Sequence, residues 1–187
     1  MTEFLQQLIN SLSLGSIYAL IALGYTMVYG IMGLINFAHG EVVMIGAMVA
    51  LFTLKALAGL PPIVSIPLAL TVAVIVCMAV GFTIERVAYR PLRRAPKLAP
   101  LITAIGISII LQHLAMLIWG RNYHSFPQLL STAPLEAIPG VFITPVQITI
   151  LVVSATLMVA LVVLVNKTRL GRAMRATAEN HKVASLM

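Results

Sequence analysis

Five long apolar stretches make up most of this 187-residue chain, and only two concentrated basic segments, Glu85 to Pro100 and Lys167 to Met187, interrupt them. A helix rising 1.5 Å per residue needs roughly 20 apolar residues to cross a 30 Å hydrocarbon core, and each stretch has about that length. With 60% hydrophobic and 9% charged residues, where soluble domains carry about 25% charged, the chain cannot build a water-facing surface. The sequence therefore predicts an all-α fold, a polytopic transmembrane helical bundle forming a single domain over residues 1–187.

The basic residues orient it. Ten of the twelve Lys and Arg lie in the two interruptions: Arg86, Arg90, Arg93, Arg94 and Lys97, then Lys167, Arg169, Arg172, Arg175 and Lys182. Short loops rich in Lys and Arg stay on the cytoplasmic side, so 85–100 reads as a cytoplasmic loop and 167–187 as a cytoplasmic tail. Spans are expected at about 8–29, 40–59, 62–84, 101–119 and 146–165. The Pro61-Pro62 pair opens the third, since proline is tolerated at a first helical turn. Residues 120–145, with Arg121 against Glu136 and four prolines, read as the external loop. Counting back from it puts Met1 outside, unless an extra crossing hides in residues 27–38. No Lys or Arg precedes Lys55, so the first stretch lacks the basic start of a cleaved leader and reads as a retained span.

Several function classes lose their basis. A pI near 10.1 would suit a nucleic-acid partner only if the positive charge lay on a folded, solvated face, whereas here it flanks membrane spans and meets lipid headgroups. The one cysteine, Cys77, is mid-span and permits no disulfide within the chain. Four His, no Asp and no H-E-x-x-H leave no expected metal site. The phosphate loop G-x-x-x-x-G-K-[ST] is absent, so no ATP binding by that device is expected. The sequence implies no cofactor and no catalytic residue.

The stretch Gly30-Ile31-Met32-Gly33-Leu34-Ile35-Asn36-Phe37-Ala38-His39-Gly40-Glu41 is apolar yet broken by three glycines, which predicts an interrupted helix near residues 30–41. Non-helical backbone at membrane depth is tolerated only where protein buries it or a polar cavity wets it, and interrupted helices are where transporters place their pathways. Counting back 20 residues from Pro61 puts Glu41 near the opposite interface, in the first turns of the second span, where a helix dipole favours a carboxylate. Asn36 is a candidate cap for that helix. Asn36, His39 and Glu41 are thus read either as structural groups or as translocation and gating candidates. Gln112 and His113, mid-way along the fourth span with Ser108 one turn above, are candidates of the same kind, against a bland reading as inter-helix hydrogen bonds.

In the tail, Leu170, Met174 and Ala178 share one helical face while Val183, Leu186 and Met187 point nearly the opposite way. The pattern predicts a helix leaving the membrane, a bend near residues 179–181 and a second short surface helix. Spacing does not separate a docking element from an ordinary membrane-surface segment with snorkelling Arg and Lys.

The run Leu14-Gly15-Ser16-Ile17-Tyr18-Ala19-Leu20-Ile21-Ala22-Leu23-Gly24-Tyr25-Thr26-Met27-Val28-Tyr29-Gly30, followed by Ile35-Asn36-Phe37-Ala38-His39-Gly40-Glu41, closely resembles permease subunits of bacterial branched-chain amino-acid ABC transporters. The tail from Gly171 to Met187 resembles the same family's coupling segment, which sits in a groove of the ATPase. The resemblance implies a non-enzymatic transport subunit of the bacterial inner membrane that imports Leu, Ile or Val. Its implied partners are a second homologous permease, two cytoplasmic ATPase subunits and a periplasmic substrate-binding protein. Residue by residue, Asn36, His39 and Glu41 match the hexad, and Ala178, Glu179, Lys182, Ala184 and Ser185 match the coupling segment. Family members continue beyond this tail with further spans, so the chain reads as truncated at its C-terminus. Related permeases for urea or short amides carry a similar hexad and are the nearest rival. An integral membrane enzyme using His39 and Glu41, or a passive channel without an ATPase, are the rivals from other classes.

Overall fold

The structure is a computed structural model and describes residues 2–33, 35–92, 95–96, 98–129 and 133–179. Its helices are α1 (Thr2–Met32), α2 (His39–Ala56), α3 (Pro62–Ile84), α4 (Leu98–Trp119), α5 (Pro145–Lys167) and α6 (Arg169–Glu179), with a short hairpin of β1 (Leu135–Ile138) and β2 (Val141–Ile143) before α5. The first five of these helices are long and apolar enough to cross a membrane, and the fold is an all-α polytopic bundle. Large apolar side chains such as Ile63 and Leu117 are more than four-fifths exposed, as expected of surfaces that face lipid.

The elements fall into two compact units, α2 to α4 in one and α1, the hairpin, α5 and α6 in the other. In the first, α2 and α3 form the most extensive helix pair. Helices in lipid gain little from hydrophobic burial and associate by close packing of small residues. On α3, Ser65, Ala69 and Ala73 are buried at four-residue spacing, and Cys77 continues that stripe. A Cβ added at Gly46 would come within 2.8 Å of the Cys77 sulfur, and the thiol lies 3.5 Å from the Val42 carbonyl. Glycine at 46 is what allows this approach.

Beyond Ile84 the chain does not leave the helix as a loop. Residues Glu85–Tyr89 form a π-helical turn, closed by the Arg90 N–H donating to the Glu85 carbonyl at 2.8 Å. Helical backbone thus continues through Tyr89 into the segment whose composition reads as a cytoplasmic loop.

In the second unit, α1 and α5 run parallel. The Gln147 amide near the start of α5 donates to Asn10 Oδ1 at 2.9 Å, while Met27 and Gly30 near the end of α1 share a small apolar cleft with Val165 near the end of α5. Thr144 and Gln147 close a reciprocal capping box with Pro145 at the first helical position, so the start of α5 is sharply defined. The Gln6 side chain pairs with β2 as a strand would, donating to the Phe142 carbonyl at 2.9 Å and accepting its N–H at 2.8 Å. This ties the hairpin to the start of α1. The expected external loop thus contains ordered strand structure, its turn made by Pro139 and Gly140 at φ +81°, a residue pair suited to a type II turn.

Candidate functional site

The interruption falls where the sequence placed it. Between the end of α1 and the start of α2, Gly33 has φ +64°, a conformation open to glycine. Asn36 then organises the turn into α2. Its Oδ1 accepts the Ala38 N–H at 3.1 Å and the Tyr89 hydroxyl at 2.8 Å, and its carbonyl accepts the His39 N–H at 3.1 Å. Asn36 is not the helix cap, since Ala38 occupies that position with no side-chain cap. Its side chain instead closes an Asx turn one step earlier and latches it to the buried Tyr89 that the π-helical turn presents.

Glu41 occupies the first turn of α2, where the helix dipole favours its charge. Its Oε1 accepts the Ser108 hydroxyl at 3.0 Å and the Gln112 amide at 2.7 Å. Both donors are neutral, so they solvate the carboxylate without cancelling its charge. Counting along the chain had put Glu41 near an interface, but Ser108 lies halfway along α4. The cause is axial stagger. Phe52 packs beside Trp119 with centroids 6.2 Å apart, so the last turn of α2 projects past the end of α4. Glu41, eleven residues before Phe52, then lies roughly 16 Å below that level at 1.5 Å per residue. The carboxylate therefore sits level with the middle of α4.

The α2 and α4 faces around this cluster, with the segment after α4, line an open groove of about 650 Å³. Gln112 and His113 lie along it, Met44, Met48 and Met116 form its apolar wall, and Arg121 stands among the residues that follow α4. The His113 Nδ1 is 2.8 Å from the Ile109 carbonyl one turn back. That oxygen can only accept, so Nδ1 carries the proton. At the same end, Phe52 meets the His124 ring edge-on at 5.4 Å and the Lys55 ammonium lies 5.3 Å over the Phe52 ring. Trp119, His124 and Lys55 thus gather around the Phe52 ring at the end of α2. Of the five candidates from the sequence, Glu41 and Gln112 are brought into contact, His113 joins Gln112 on the groove wall, and Asn36 serves the turn. His39 opens α2 two residues before Glu41. Sequence reasoning missed Tyr89, and it noted Ser108 only as a neighbour of Gln112.

The tail candidates divide differently. Ala178 and Glu179 end α6, and both are exposed; Lys182, Ala184 and Ser185, with the expected bend and second surface helix, lie outside the described residues. The helix does not simply continue α5. Thr168 is extended at ψ 163°, and its hydroxyl donates to the Leu164 carbonyl at 2.6 Å and accepts the Gly171 N–H at 3.1 Å. Gly171 is buried against the last turn of α5, where a Cβ would collide with the carbonyl oxygens of Leu164 and Val165. Met174 and Ala178 line the cleft beside Met27, Gly30 and Val165. The face α6 turns inward thus carries Gly171 and Met174, with Ala178 at its exposed edge. Leu170, which helical spacing grouped with it, is 65% exposed, because the elbow at Thr168 and Gly171 sets the rotation of α6.

The family model described as the permease component of branched-chain amino acid transport systems matches residues 7–187. A high-affinity branched-chain amino acid transport system permease protein, BraD of Pseudomonas aeruginosa, is 49% identical over 194 residues, covering 99% of this chain and 62% of its own length. LivH of Escherichia coli, with the same description, is 44% identical over 190 residues, covering 98% of this chain and 62% of its own. A probable branched-chain amino acid transport permease protein of Methanocaldococcus jannaschii is 30% identical over 181 residues. No solved structure matches this chain. The chain thus spans about three-fifths of the length of the curated relatives it matches. An apolar bundle with a broken first connection, a carboxylate bonded to the middle of α4 and a basic last helix is matched nearly end to end, and the chain belongs to the family of branched-chain amino acid transport permease components.

Proposed function

We propose that this chain is a permease subunit of an ATP-driven importer that carries Leu, Ile and Val across the bacterial inner membrane. The observation that carries the reading is the match of residues 7–187 to the permease family, together with relatives at 49% and 44% identity whose names specify branched-chain amino acid transport. In this reading the chain works with a second homologous permease, a periplasmic binding protein and two cytoplasmic ATPase subunits, which hydrolyse the ATP. α6 and the residues after it dock in the ATPase as a helix in a groove, with Ala178, Glu179, Lys182, Ala184 and Ser185 at the contact. The elbow at Gly171 supports this: a helix locked against α5 and α1 transmits a push, whereas a loosely tethered one would absorb it. The break at residues 33–38 and the polar group of Asn36, His39, Glu41, Gln112 and His113 supply the part that changes conformation or meets the solute.

The test is uptake of radiolabelled leucine by cells deprived of their own branched-chain importers, with the gene in full expressed beside its partner subunits. Uptake that needs both the permease and an active ATPase is the expected result. Membrane-inserted permease with all partners present and no leucine, isoleucine or valine uptake would overturn the reading.

A further inference from the structure

The cleft where α6 meets α1 and α5 is lined by Met27 and Gly30 of α1, Val165 of α5, and Met174, Arg175 and Ala178 of α6. Arg175 is the one charged residue among them, and it is exposed, so it stands at the rim. The volume is about 180 Å³, below the roughly 300–1,000 Å³ of small-molecule sites, and the other five residues offer a polar solute nothing to bond. The cleft suits a stretch of hydrocarbon. Met27 and Met174 are unbranched and adapt to such a chain, and a Cβ added at Gly30 meets nothing within 4 Å. Its level in the membrane agrees. Val165 lies two residues before the end of α5 at Lys167, and Tyr29, beside Gly30 on α1, is half exposed, as tyrosines at the headgroup level are. The polar side of that boundary is basic. Residues 167–179 carry Lys167, Arg169, Arg172 and Arg175 against Glu179, and among the described residues no hydrogen bond or ion pair engages the side chains of the three arginines.

We propose that this cleft binds one anionic phospholipid, such as phosphatidylglycerol, from the leaflet that the basic segment faces. A segment of one acyl chain lies between Met27, Val165 and Met174, and the Arg175 guanidinium bonds the phosphate, which its planar fork of donors matches. An arginine stem lies along apolar surface while its head reaches polar groups, so one residue serves both parts of the lipid. The elbow makes the site specific. Gly171 fixes the rotation of α6 against α5, which sets Met174 in the cleft and Arg175 at its edge, whereas Arg169 falls on the side of the helix opposite Gly171 and Met174 at 100° per residue. Arg172, one turn before Arg175, adds positive potential beside the headgroup. A lipid held this way braces α6 against α1 and α5. The inference goes beyond the importer reading: it makes the attachment of α6 depend on the anionic lipid content of the membrane.

Native mass spectrometry of the full-length permease in detergent, titrated with phosphatidylglycerol and with phosphatidylcholine of identical acyl chains, tests the site. One phosphatidylglycerol is expected to bind at a several-fold lower concentration than phosphatidylcholine. Arg175→Gln is expected to weaken it about tenfold, in line with the loss of one charge-assisted hydrogen bond. Gly30→Leu, whose side chain has room to enter the cleft, is expected to weaken it several-fold. Arg169→Gln removes the same charge from the far side of α6 and is expected to change binding by less than about twofold. Equal affinity for the two lipids, or equal losses from Arg175→Gln and Arg169→Gln, would reduce the site to a charged surface and overturn the proposal. So would unchanged binding by a Gly30→Leu variant that melts normally, which takes the acyl chain out of the cleft. Release of the lipid when the ATPase subunits are added would give the cleft to a side chain of the ATPase and overturn it as well.

Discussion

Glu41 shows how two roles of one side chain can be pulled apart. Glutamine at this position keeps an oxygen for the Ser108 hydroxyl and the Gln112 amide but removes the charge; alanine removes both. Glu41→Gln is therefore expected to stay within about 1 kcal/mol of wild-type stability, and Glu41→Ala to lose about 1–3 kcal/mol, chiefly by leaving the half-buried Ser108 hydroxyl without its acceptor, the Gln112 amide being exposed. Thermal melts in detergent read the difference. If the charge serves solute passage, Glu41→Gln abolishes uptake while melting normally; retained uptake assigns Glu41 a structural role only. Asn36 offers a parallel case. Tyr89→Phe removes one hydrogen bond, worth about 1 kcal/mol, whereas Asn36→Leu removes the acceptor for both the Tyr89 hydroxyl and the Ala38 N–H and costs more. Equal melting temperatures for the two would show that the Asx turn contributes nothing. These residues were legible in the sequence as oddities, polar groups in an apolar run, but their partners were not. Asn36 and Tyr89 are 53 residues apart, Glu41 and Gln112 71, and which helix faces meet across such distances depends on the rotation and stagger of α2, α3 and α4. No local pattern encodes these.

At the scale of elements, what hydropathy could read was the existence and approximate extent of the long helices. The ends were set by chemistry a hydropathy window overlooks. Thr144-Pro-Val-Gln147 has the spacing of a capping box, and Pro139-Gly140 has the makings of a tight turn; both signals lay within the sequence. The elbow between α5 and α6 did not announce itself, because its requirement for glycine at 171 comes from carbonyl oxygens six and seven residues back that only the folded chain brings near. Those oxygens are backbone and cannot step aside. Gly171→Ala is expected to dislodge α6, to speed tryptic cleavage at Arg172 and Arg175 several-fold, and to break co-purification with the ATPase; unchanged cleavage would mean that α6 is not locked. Gly46 gives the converse case, since its neighbour is the movable Cys77 sulfur. Gly46→Ala should cost about 1–3 kcal/mol by overpacking, and Cys77→Ala should restore most of it. Failure of that rescue would place the strain elsewhere. At the exposed end of α6, Glu179→Arg should leave insertion and melting intact while ATPase stimulation is lost, and unchanged stimulation removes Glu179 from the docking contact.

For the whole molecule, the direction of α1 decides how many times the chain crosses. Two helices that run parallel across a bilayer are separated by an odd number of crossings. α1 and α5 run parallel, on the evidence of the Asn10 to Gln147 hydrogen bond at one end and the cleft shared by Met27, Gly30 and Val165 at the other. Three long apolar helices, α2, α3 and α4, lie between them in sequence. A further crossing hidden in the interrupted segment would make the number even and α1 antiparallel to α5. The tie between Gln6 and the backbone of Phe142 adds that the start of α1 and the hairpin share a side. If the basic segments are held in the cytoplasm, as short Lys- and Arg-rich loops are, the start of α1 and the hairpin are then both external, and α6 is internal. Single thiols at Thr2, Tyr123 and Arg172, each in a Cys77→Ala background, test this in intact cells with a reagent that cannot cross the inner membrane. Thr2→Cys and Tyr123→Cys are expected to react, and Arg172→Cys only after the membrane is broken. Labelling of Thr2→Cys and Arg172→Cys from the same side would contradict the parallel pair, and labelling of all three with sides reversed would leave the pairing intact but turn the molecule over, removing the cytoplasmic ATPase contact assigned to α6.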